Sequence, residues 1–153
     1  MKIIGAEAFR FCVKLTNLII PNSVIDIGAG ALANCNKLTS IIIPKGVKSI
    51  GQYAFHESLS LKNITIHSSV TSIGELAFSG CVSLTSINVA PDNLTYSSDN
   101  GILFDKNKRI IIQYPAGKRD ASYVIPNSVT RIGDGAFYFC TGLTSIEIPN
   151  SVT

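Results

Sequence analysis

Cysteine and histidine are the residues of this chain that could bind a metal, form disulfides or act as nucleophiles. The two histidines, His56 and His67, lie apart from the cysteines in the sequence, and no CxxC pair is present. This spacing argues against zinc, which usually takes paired Cys and His ligands. The four cysteines fall at one position of a repeating pattern: Cys12, Cys35, Cys81 and Cys140. Because Cys packs as a small buried hydrophobe, we interpret them as core thiols. A disulfide stays open only for Cys12 and Cys35, which come from adjacent repeats.

Catalysis requires groups that converge, such as a nucleophile beside a base, a carboxylate pair or a phosphate-binding glycine loop. None of these patterns occurs in the sequence. The acidic residues outside the insertion described below are scattered over variable positions: Glu7, Asp26, Glu57, Glu75, Asp134 and Glu147. Serine and threonine recur without a histidine or carboxylate at a fixed spacing. We therefore predict that the chain is not an enzyme and uses no cofactor or metal.

The elements that must position these side chains follow a repeat of about 23 residues, a period typical of stacked repeat proteins. The copies share an Ile-Gly pair, an Ala followed by Phe or Leu, a Cys or Ser, a Leu and two further aliphatic residues. The Ile-Gly pairs begin at Ile4, Ile27, Ile50, Ile73 and Ile132. A fixed period of this length indicates one small unit per repeat, stacked so that neighbours bury a continuous core. The sequence therefore predicts a solenoid of about six coils.

Each repeat predicts three short elements. The stretch from Leu143 to Ile148 ends with alternating apolar and polar residues, as a strand does, and Pro149-Asn150 marks a corner. The next segment, Ser-Val-Thr-x-Ile-Gly, predicts a second short strand, and Ala-Phe-x-x-Cys has the spacing of a helical or 3₁₀ turn. Strands of successive coils should lie about 4.8 Å apart and pair in parallel. The predicted fold class is α/β, a strand-rich solenoid with short helical or 3₁₀ turns.

An insertion interrupts the repeat between Ile87 and Ile146, which occupy equivalent positions but are separated by more than two repeat lengths. It covers residues 91–122 approximately and holds two strand-like segments, 101–104 and 109–114, around a polar loop, which predicts a hairpin. Ile110 lies one repeat length after Ile87. We therefore expect the second strand to take the next place in the stack, with residues 101–104 beside it. Positive and negative charges are mixed here, so a solvated loop and a binding loop both stay open.

Length and composition set outer limits on function. A chain of 153 residues with a net charge of +3 predicts one domain, residues 1–153, and gives no reason to expect binding to nucleic acid or a membrane surface. No apolar run is long enough to span a bilayer, and no signal peptide is recognisable in this segment. Met1 and Thr153 both align to the inside of a repeat. We therefore expect a fragment of a longer array, whose uncapped ends could associate end to end.

The outward positions of the first strand supply a candidate binding surface. One column varies while its neighbours stay constant: Ile19, Ile42, Thr65, Asn88 and Glu147. Lys62 is a further outward residue, and the insertion adds Lys106, Lys108 and Arg109. Extended solenoid surfaces of this kind bind proteins, and the two isoleucines would supply an apolar contact. The alternative is that small polar residues here only keep a parallel sheet soluble.

The string IPNSVTxIGxxAFxxCxxLTSIxIP, which describes the final repeat, resembles the leucine-rich repeats of BspA-like bacterial and protist surface proteins. The insertion, YSSDNGILFDKNKRIIIQYPAGK, looks like a segment common in the same family. The sequence departs from ordinary leucine-rich repeats at Ser23, where Asn or Cys is usual, and Cys stands ahead of the first Leu instead. The resemblance implies a leucine-rich-repeat solenoid. It also implies proteins displayed on or secreted from cells, acting as adhesins or as binders of host and neighbouring-cell proteins.

Two functions stand as hypotheses. The first is a non-enzymatic protein-binding repeat segment of a cell-surface or secreted adhesin-like protein, with host matrix or cell-surface proteins as suspected partners. The second is a structural spacer that displays another domain without binding a partner itself. A glycan-binding module lacks support, because the chain has no Trp and its tyrosines do not share one column. The sequons at Asn63 and Asn93 carry little weight, since Asn63 falls in a predicted strand.

Overall fold

The computed structural model describes residues 2–153. Within them the regular elements are short strands, and no α-helix or 3₁₀-helix is present. In chain order the strands are β1 (Lys2–Ile4), β2 (Val24–Ile27), β3 (Ser49–Ile50), β4 (Asn63–Ile66), β5 (Ser72–Ile73), β6 (Ser86–Val89), β7 (Tyr96–Asp99), β8 (Ile102–Asp105), β9 (Ile110–Gln113), β10 (Ser122–Val124), β11 (Arg131–Ile132) and β12 (Ser145–Glu147).

Two stacks of parallel strands run along the molecule. The Ile-Gly stack contains β1, β2, β3 and β5 in that order, and Ile27 pairs with Ile50, which is one repeat further along the chain. The LTSI stack contains the pairs β4–β6 and β10–β12, in which Thr65 pairs with Asn88 and Val124 with Glu147. Each strand therefore lies against the same strand of the next copy. The predicted solenoid of 23-residue coils is confirmed.

The turn that follows each Ile-Gly pair is not helical, contrary to the prediction. Two positions in each coil, four residues apart, have a left-handed backbone, as Gly30 (φ 61°) and Asn34 (φ 60°) do in the second coil. The other coils have Glu7 and Phe11, Tyr53 and Glu57, Leu76 and Gly80, and Gly135 and Phe139 there. Left-handed residues interrupt the i→i−4 bonding of a helix. Backbone N–H groups bond to the next coil instead, as Leu32 does to the Ala54 carbonyl at 2.8 Å. The architecture is therefore a β-solenoid.

The glycine of the Ile-Gly pair lets successive coils approach closely. A Cβ placed on Gly28 would lie 2.7 Å from the backbone nitrogen of Ala6, and one placed on Gly51 would lie 2.5 Å from the nitrogen of Ala29. Both distances are well inside the separation at which non-bonded carbon atoms attract, about 3.5–4.0 Å. This contact explains the glycine in each copy that stacks on a preceding coil, whereas a Cβ on Gly5 of the first coil would meet nothing within 4 Å.

The LTSI stack is incomplete in the first two coils. The sequence predicts strands near residues 18–20 and 41–43, yet within residues 2–153 no backbone hydrogen bond joins these two segments. In later coils the Ala90 N–H donates to the Ile66 carbonyl at 2.9 Å. Pro44 occupies the corresponding position of the second coil and has no N–H to donate to Ile20. The ladder therefore lacks that bond, and a groove of about 190 Å³ lies between residues 17–20 and 40–42.

The insertion forms a separate sheet with strand β11, in the order β11-β9-β8-β7, in which β7, β8 and β9 pair as antiparallel neighbours. The predicted hairpin is present as β8 and β9, and β7 pairs with the other side of β8. The prediction that the strand of Ile110 takes the place after the strand of Ile87 in the stack is wrong. Its strand pairs with β11 through Ile111 and Ile132, whereas β10 pairs with β12 in the LTSI stack. Directly after β9, Tyr114 stacks on Phe137 of the following coil, with ring centroids 5.3 Å apart.

Strand β8 divides the hydrophobic core into two clusters. The first cluster contains the buried residues of the early coils and includes Tyr96 and Leu103. The second contains Ile102, Phe104 and Tyr114 together with residues of the last coils. Successive residues of a strand point to opposite faces, so Leu103 packs into one cluster while its two neighbours pack into the other. Because its side chains are buried on both faces, β8 is neither a solvated loop nor a binding loop. It separates the two core clusters, and we call it the β8 partition.

Candidate functional site

The cysteine column forms a line of hydrogen bonds inside the coils. Each side chain donates to the carbonyl of the aromatic or leucine position in the preceding coil: Cys35 to Phe9 at 3.2 Å, Ser58 to Leu32 at 2.7 Å, Cys81 to Phe55 at 3.0 Å and Cys140 to Tyr114 at 3.6 Å. None of the four cysteines of the chain, Cys12, Cys35, Cys81 and Cys140, forms a disulfide. Burial raises the pKa of Cys81 to about 12 and that of Cys140 to about 11. At neutral pH these thiols are protonated, which suits a hydrogen-bond donor and not a nucleophile.

Replacing Cys81 with serine should destabilise the protein less than replacing it with alanine. Ser58 already makes the same hydrogen bond in the same column, whereas alanine removes the donor and leaves a small void. We expect the free energies of unfolding of the two variants to differ by about 1 kcal/mol. Urea denaturation followed by circular dichroism measures this difference. The reciprocal change, Ser58→Cys, is the control and should be close to neutral; equal losses in Cys81→Ser and Cys81→Ala would contradict a hydrogen-bonding role.

The histidines do not form a metal site. Within residues 2–153, no three His, Cys, Asp or Glu side chains come close enough to hold a metal ion. His56 packs edge-on against Tyr53, with ring centroids 5.3 Å apart, and its Nε2 lies 3.6 Å from a carboxylate oxygen of Glu57. The backbone carbonyl of His67 accepts a hydrogen bond from the Asn93 side chain at 2.7 Å. The His56 ring thus packs between an aromatic ring and a carboxylate, and His67 is joined to Asn93 through its backbone.

The outward column of the LTSI stack is exposed, as the alternation predicts. Ile19 is 83% exposed and Ile42 is 80% exposed, and they flank the groove between the first two coils. Thr65, Asn88 and Glu147 are also exposed, as is Lys62. The structure adds Val124, which is 62% exposed and pairs with Glu147. Sequence reasoning missed this residue, although Pro126 lies one repeat length before Pro149 and so indicates the register.

The insertion interrupts this column. The Gly101 carbonyl accepts a hydrogen bond from the Ile87 N–H at 2.8 Å, so the tip of the β7–β8 hairpin lies along the free edge of β6. Lys118 secures the same tip through its Nζ, which donates to the Asn100 carbonyl at 3.0 Å. The tip therefore separates the outward positions of the first four coils from Val124 and Glu147.

The cations of the insertion are largely engaged in local bonds. Lys106 donates to the carbonyls of Asn93 and Pro91, the latter at 3.4 Å. The Nζ of Lys108 lies 2.7 Å from a carboxylate oxygen of Asp99. Arg109 has an exposed side chain, and its backbone N–H donates to the Asp105 carboxylate at 2.7 Å. Of these three candidate residues, only Arg109 presents its charge outward without a partner among the hydrogen bonds and ion pairs of residues 2–153.

Stacked 23-residue coils with parallel pairing and one shared apolar column per position define a leucine-rich-repeat solenoid. A family model of the BspA type leucine rich repeat region matches six copies, over residues 2–114 and 118–153. The chain belongs to the BspA-type leucine-rich repeat family, which confirms the resemblance. Comparison with curated protein sequences gives no match. Within residues 2–153, no helix has the length and hydropathy of a membrane span.

Solved structures of bacterial leucine-rich repeat proteins share the fold. A leucine-rich repeat protein from Eubacterium ventriosum matches with a TM-score of 0.77 and 27% identity, over 99% of this chain and 46% of its own. A leucine rich cell surface protein from Faecalibacterium prausnitzii matches with a TM-score of 0.72 and 34% identity, over 99% and 46% of the two chains. The pneumococcal vaccine antigen PcpA has a TM-score of 0.67 and 23% identity, over 99% and 49%, a likeness of fold alone. The chain spans about half the length of these relatives.

Proposed function

We propose that this chain is a non-enzymatic, protein-binding repeat segment of a cell-surface or secreted adhesin-like protein. Family membership supports the class, since the family model describes a BspA type leucine rich repeat region and the similar solved structures are bacterial leucine-rich repeat proteins. One similar protein, at 34% identity, carries the description of a cell surface protein. The suspected partners are host matrix or cell-surface proteins, because a displayed or secreted protein encounters these proteins outside its own cell.

The observation that carries the proposal is the pair Ile19 and Ile42. Two isoleucines that are 83% and 80% exposed, at equivalent positions of adjacent coils, form an apolar patch, whereas the next two coils have the polar residues Thr65 and Asn88 there. Full burial of such a side chain against a partner stabilises the complex by about 1.5–3 kcal/mol. The groove between residues 17–20 and 40–42 lies beside them, so the surface is indented at this point.

The alternative function is a structural spacer that displays another domain without binding a partner. It is favoured by the rest of the column, which is polar at Thr65, Asn88 and Glu147, and by the local bonds of Lys106 to backbone carbonyls and of Lys108 to Asp99. Each coil packs on its neighbours, so the array can hold another domain at a fixed distance. In the protein-binding function the exposed isoleucines contact a partner, whereas in the spacer function they contact none.

The double variant Ile19→Asp and Ile42→Asp should lose partner binding. The tagged chain is titrated against purified host matrix and cell-surface proteins by surface plasmon resonance. We expect at least one to bind, and the variant to raise its Kd by about tenfold or more, because each buried side chain contributes at least about 1.4 kcal/mol.

The matched control is the double variant Val13→Asp and Val82→Asp. It adds the same charge at apolar residues that are 46% and 41% exposed and lie at another position of the coil. This control should bind as the parent does. If the parent binds no protein of the panel, the spacer function is favoured, and if Ile19→Asp with Ile42→Asp binds normally, the LTSI surface is not the binding surface.

A further inference from the structure

A slot one coil wide opens on the turn side of the second coil, away from the outward LTSI column. Its floor is formed by Gly30 and Ala33, and its volume is about 320 Å³. One wall is the ion pair of Glu7 and Arg10 from the first coil, with a distance of 2.6 Å between carboxylate and guanidinium. The other wall is the aromatic pair of Tyr53 and His56 from the third coil.

The slot exists because the second coil has the smallest residues of the array at two positions. The first of these positions holds Glu7, Gly30, Tyr53, Leu76 and Gly135, and the second holds Arg10, Ala33, His56, Ser79 and Tyr138. Only the second coil combines Gly with Ala, so large side chains stand on both sides of a gap. The Glu7 side chain lies close beside this floor, since a Cβ on Gly30 would meet Glu7 Cγ at 3.3 Å.

The width of the slot fits one planar ring. Two coil steps place the flanking walls about 9.6 Å apart at the backbone, and a ring in van der Waals contact on both faces needs about 7–8 Å between its neighbours. A closed cavity of about 150 Å³ is enough to hold benzene. The slot of about 320 Å³ therefore has room for a tyrosine or phenylalanine side chain and part of its backbone.

The walls have the chemistry that an aromatic ring prefers. A guanidinium attracts the negative face of a ring, and aromatic pairs add stacked or edge-on contacts. Arg10 is already held in place, because Glu7 pairs with it and its Cζ lies 5.2 Å from the centre of the Phe11 ring. A sugar would instead need several hydrogen-bonding groups for its hydroxyls; one Glu7 oxygen and one Arg10 nitrogen already bond to each other, and the methyl glucoside in the test below checks this alternative.

We propose that this slot binds an aromatic side chain, tyrosine or phenylalanine, presented by a partner protein. The ring lies over Gly30 and Ala33, between the guanidinium of Arg10 and the rings of Tyr53 and His56. Buried aromatic anchors of this kind dominate the energetics of protein interfaces. The identity of the occupant as a protein side chain rests on the proposed function, but the slot shares no residue with the Ile19 and Ile42 surface.

The test is a titration of the chain, with its alanine methyl groups labelled, by N-acetyl-tyrosinamide in solution NMR. We expect saturable upfield shifts of the Ala29 and Ala33 methyl signals with a Kd of roughly 1 mM, as befits a probe of this size. The variant Ala33→His fills the slot with the side chain that the third coil has at this position, so the fold tolerates it. It should weaken binding by at least tenfold. The control Thr65→His, on the LTSI column, should leave the Kd unchanged.

Three results would overturn the proposal: no saturable shift with the tyrosine probe, equal binding by Ala33→His, or equal shifts with N-acetyl-leucinamide or a methyl glucoside. The test is separate from that of the proposed function. Saturable binding of the tyrosine probe by a chain that captures no matrix or surface protein would refute the adhesive function and leave the slot intact. The Ile19→Asp and Ile42→Asp variant should bind the probe as the parent does.

Discussion

Replacing Phe104 with alanine will lower the free energy of unfolding by about 3–5 kcal/mol, the usual cost of removing a fully buried aromatic ring. Phe104 is 1% exposed and packs with the second hydrophobic cluster, across the β8 partition from Leu103. Alanine at this position leaves a void where the insertion meets the last coils. Urea denaturation, monitored by circular dichroism, measures the loss.

The control for this variant lies in the same insertion. Leu94 is 85% exposed, so Leu94→Ala should change stability by no more than about 0.5 kcal/mol. If the insertion were solvated, Phe104→Ala and Leu94→Ala would lower the free energy of unfolding by similar amounts. That result would refute the β8 partition. A second comparison distinguishes the faces of β8: Leu103→Ala should loosen the early coils, and hydrogen exchange should rise first in residues 41–87 and not beyond β9.

Replacing Asn93 with alanine will cost about 3 kcal/mol or more, because one side chain satisfies four backbone groups. Its amide nitrogen donates to the carbonyls of His67 at 2.7 Å and Val70 at 3.0 Å. Its Oδ1 accepts from the N–H groups of Thr95 and Tyr96, each at 2.8 Å. Asn93 is fully buried, so water does not replace these bonds. The side chain therefore joins the start of β7 to the preceding coil.

Two further variants make this prediction specific. Asn93→Asp retains the acceptor but loses both donors and buries a carboxylate, so it should also destabilise the fold, and more so as the pH rises above the carboxyl pKa. Asn63→Ala, at the other sequon, removes an exposed side chain from β4 and should change the free energy of unfolding by no more than about 0.5 kcal/mol. Similar losses for Asn63→Ala and Asn93→Ala would mean that the four bonds contribute little.

Several features of the fold could be read from the chain because they repeat. The apolar columns, the Ile-Gly pairs and the exposed column with Ile19 and Ile42 all recur at the same step along the chain. A stacked array places equivalent residues beside each other. A position predicted as buried or exposed in one copy can therefore be checked against the same position in the other copies. Tyr114 belongs to the same set, since it precedes Phe137 by one repeat; their ring separation of 5.3 Å is close to the 5.7 Å of Phe55 and Phe78.

The turn shows where local patterns mislead. Ala-Phe-x-x-Cys suits a helical turn by spacing, but the chain there has left-handed residues that bond to the next coil. Gly30, Asn34, Gly80 and Gly135 carried a signal for this conformation, since Gly and Asn tolerate positive φ. Phe11, Tyr53 and Leu76 carried none; the N–H groups of Phe11 and Tyr53 bond to the next coil in this conformation.

What the amino-acid sequence determined by itself was the coil: its length, its apolar columns and the positions that face water, because each follows from a short-range pattern repeated many times. Tertiary structure alone decided the β8 partition, the hydrogen bonds of Asn93 and the slot over Gly30 and Ala33. The first two features arise where the insertion meets the repeats, and the slot arises where small residues of one coil lie between larger side chains of its two neighbours. None of them recurs in the other coils, so the repeat pattern does not predict it.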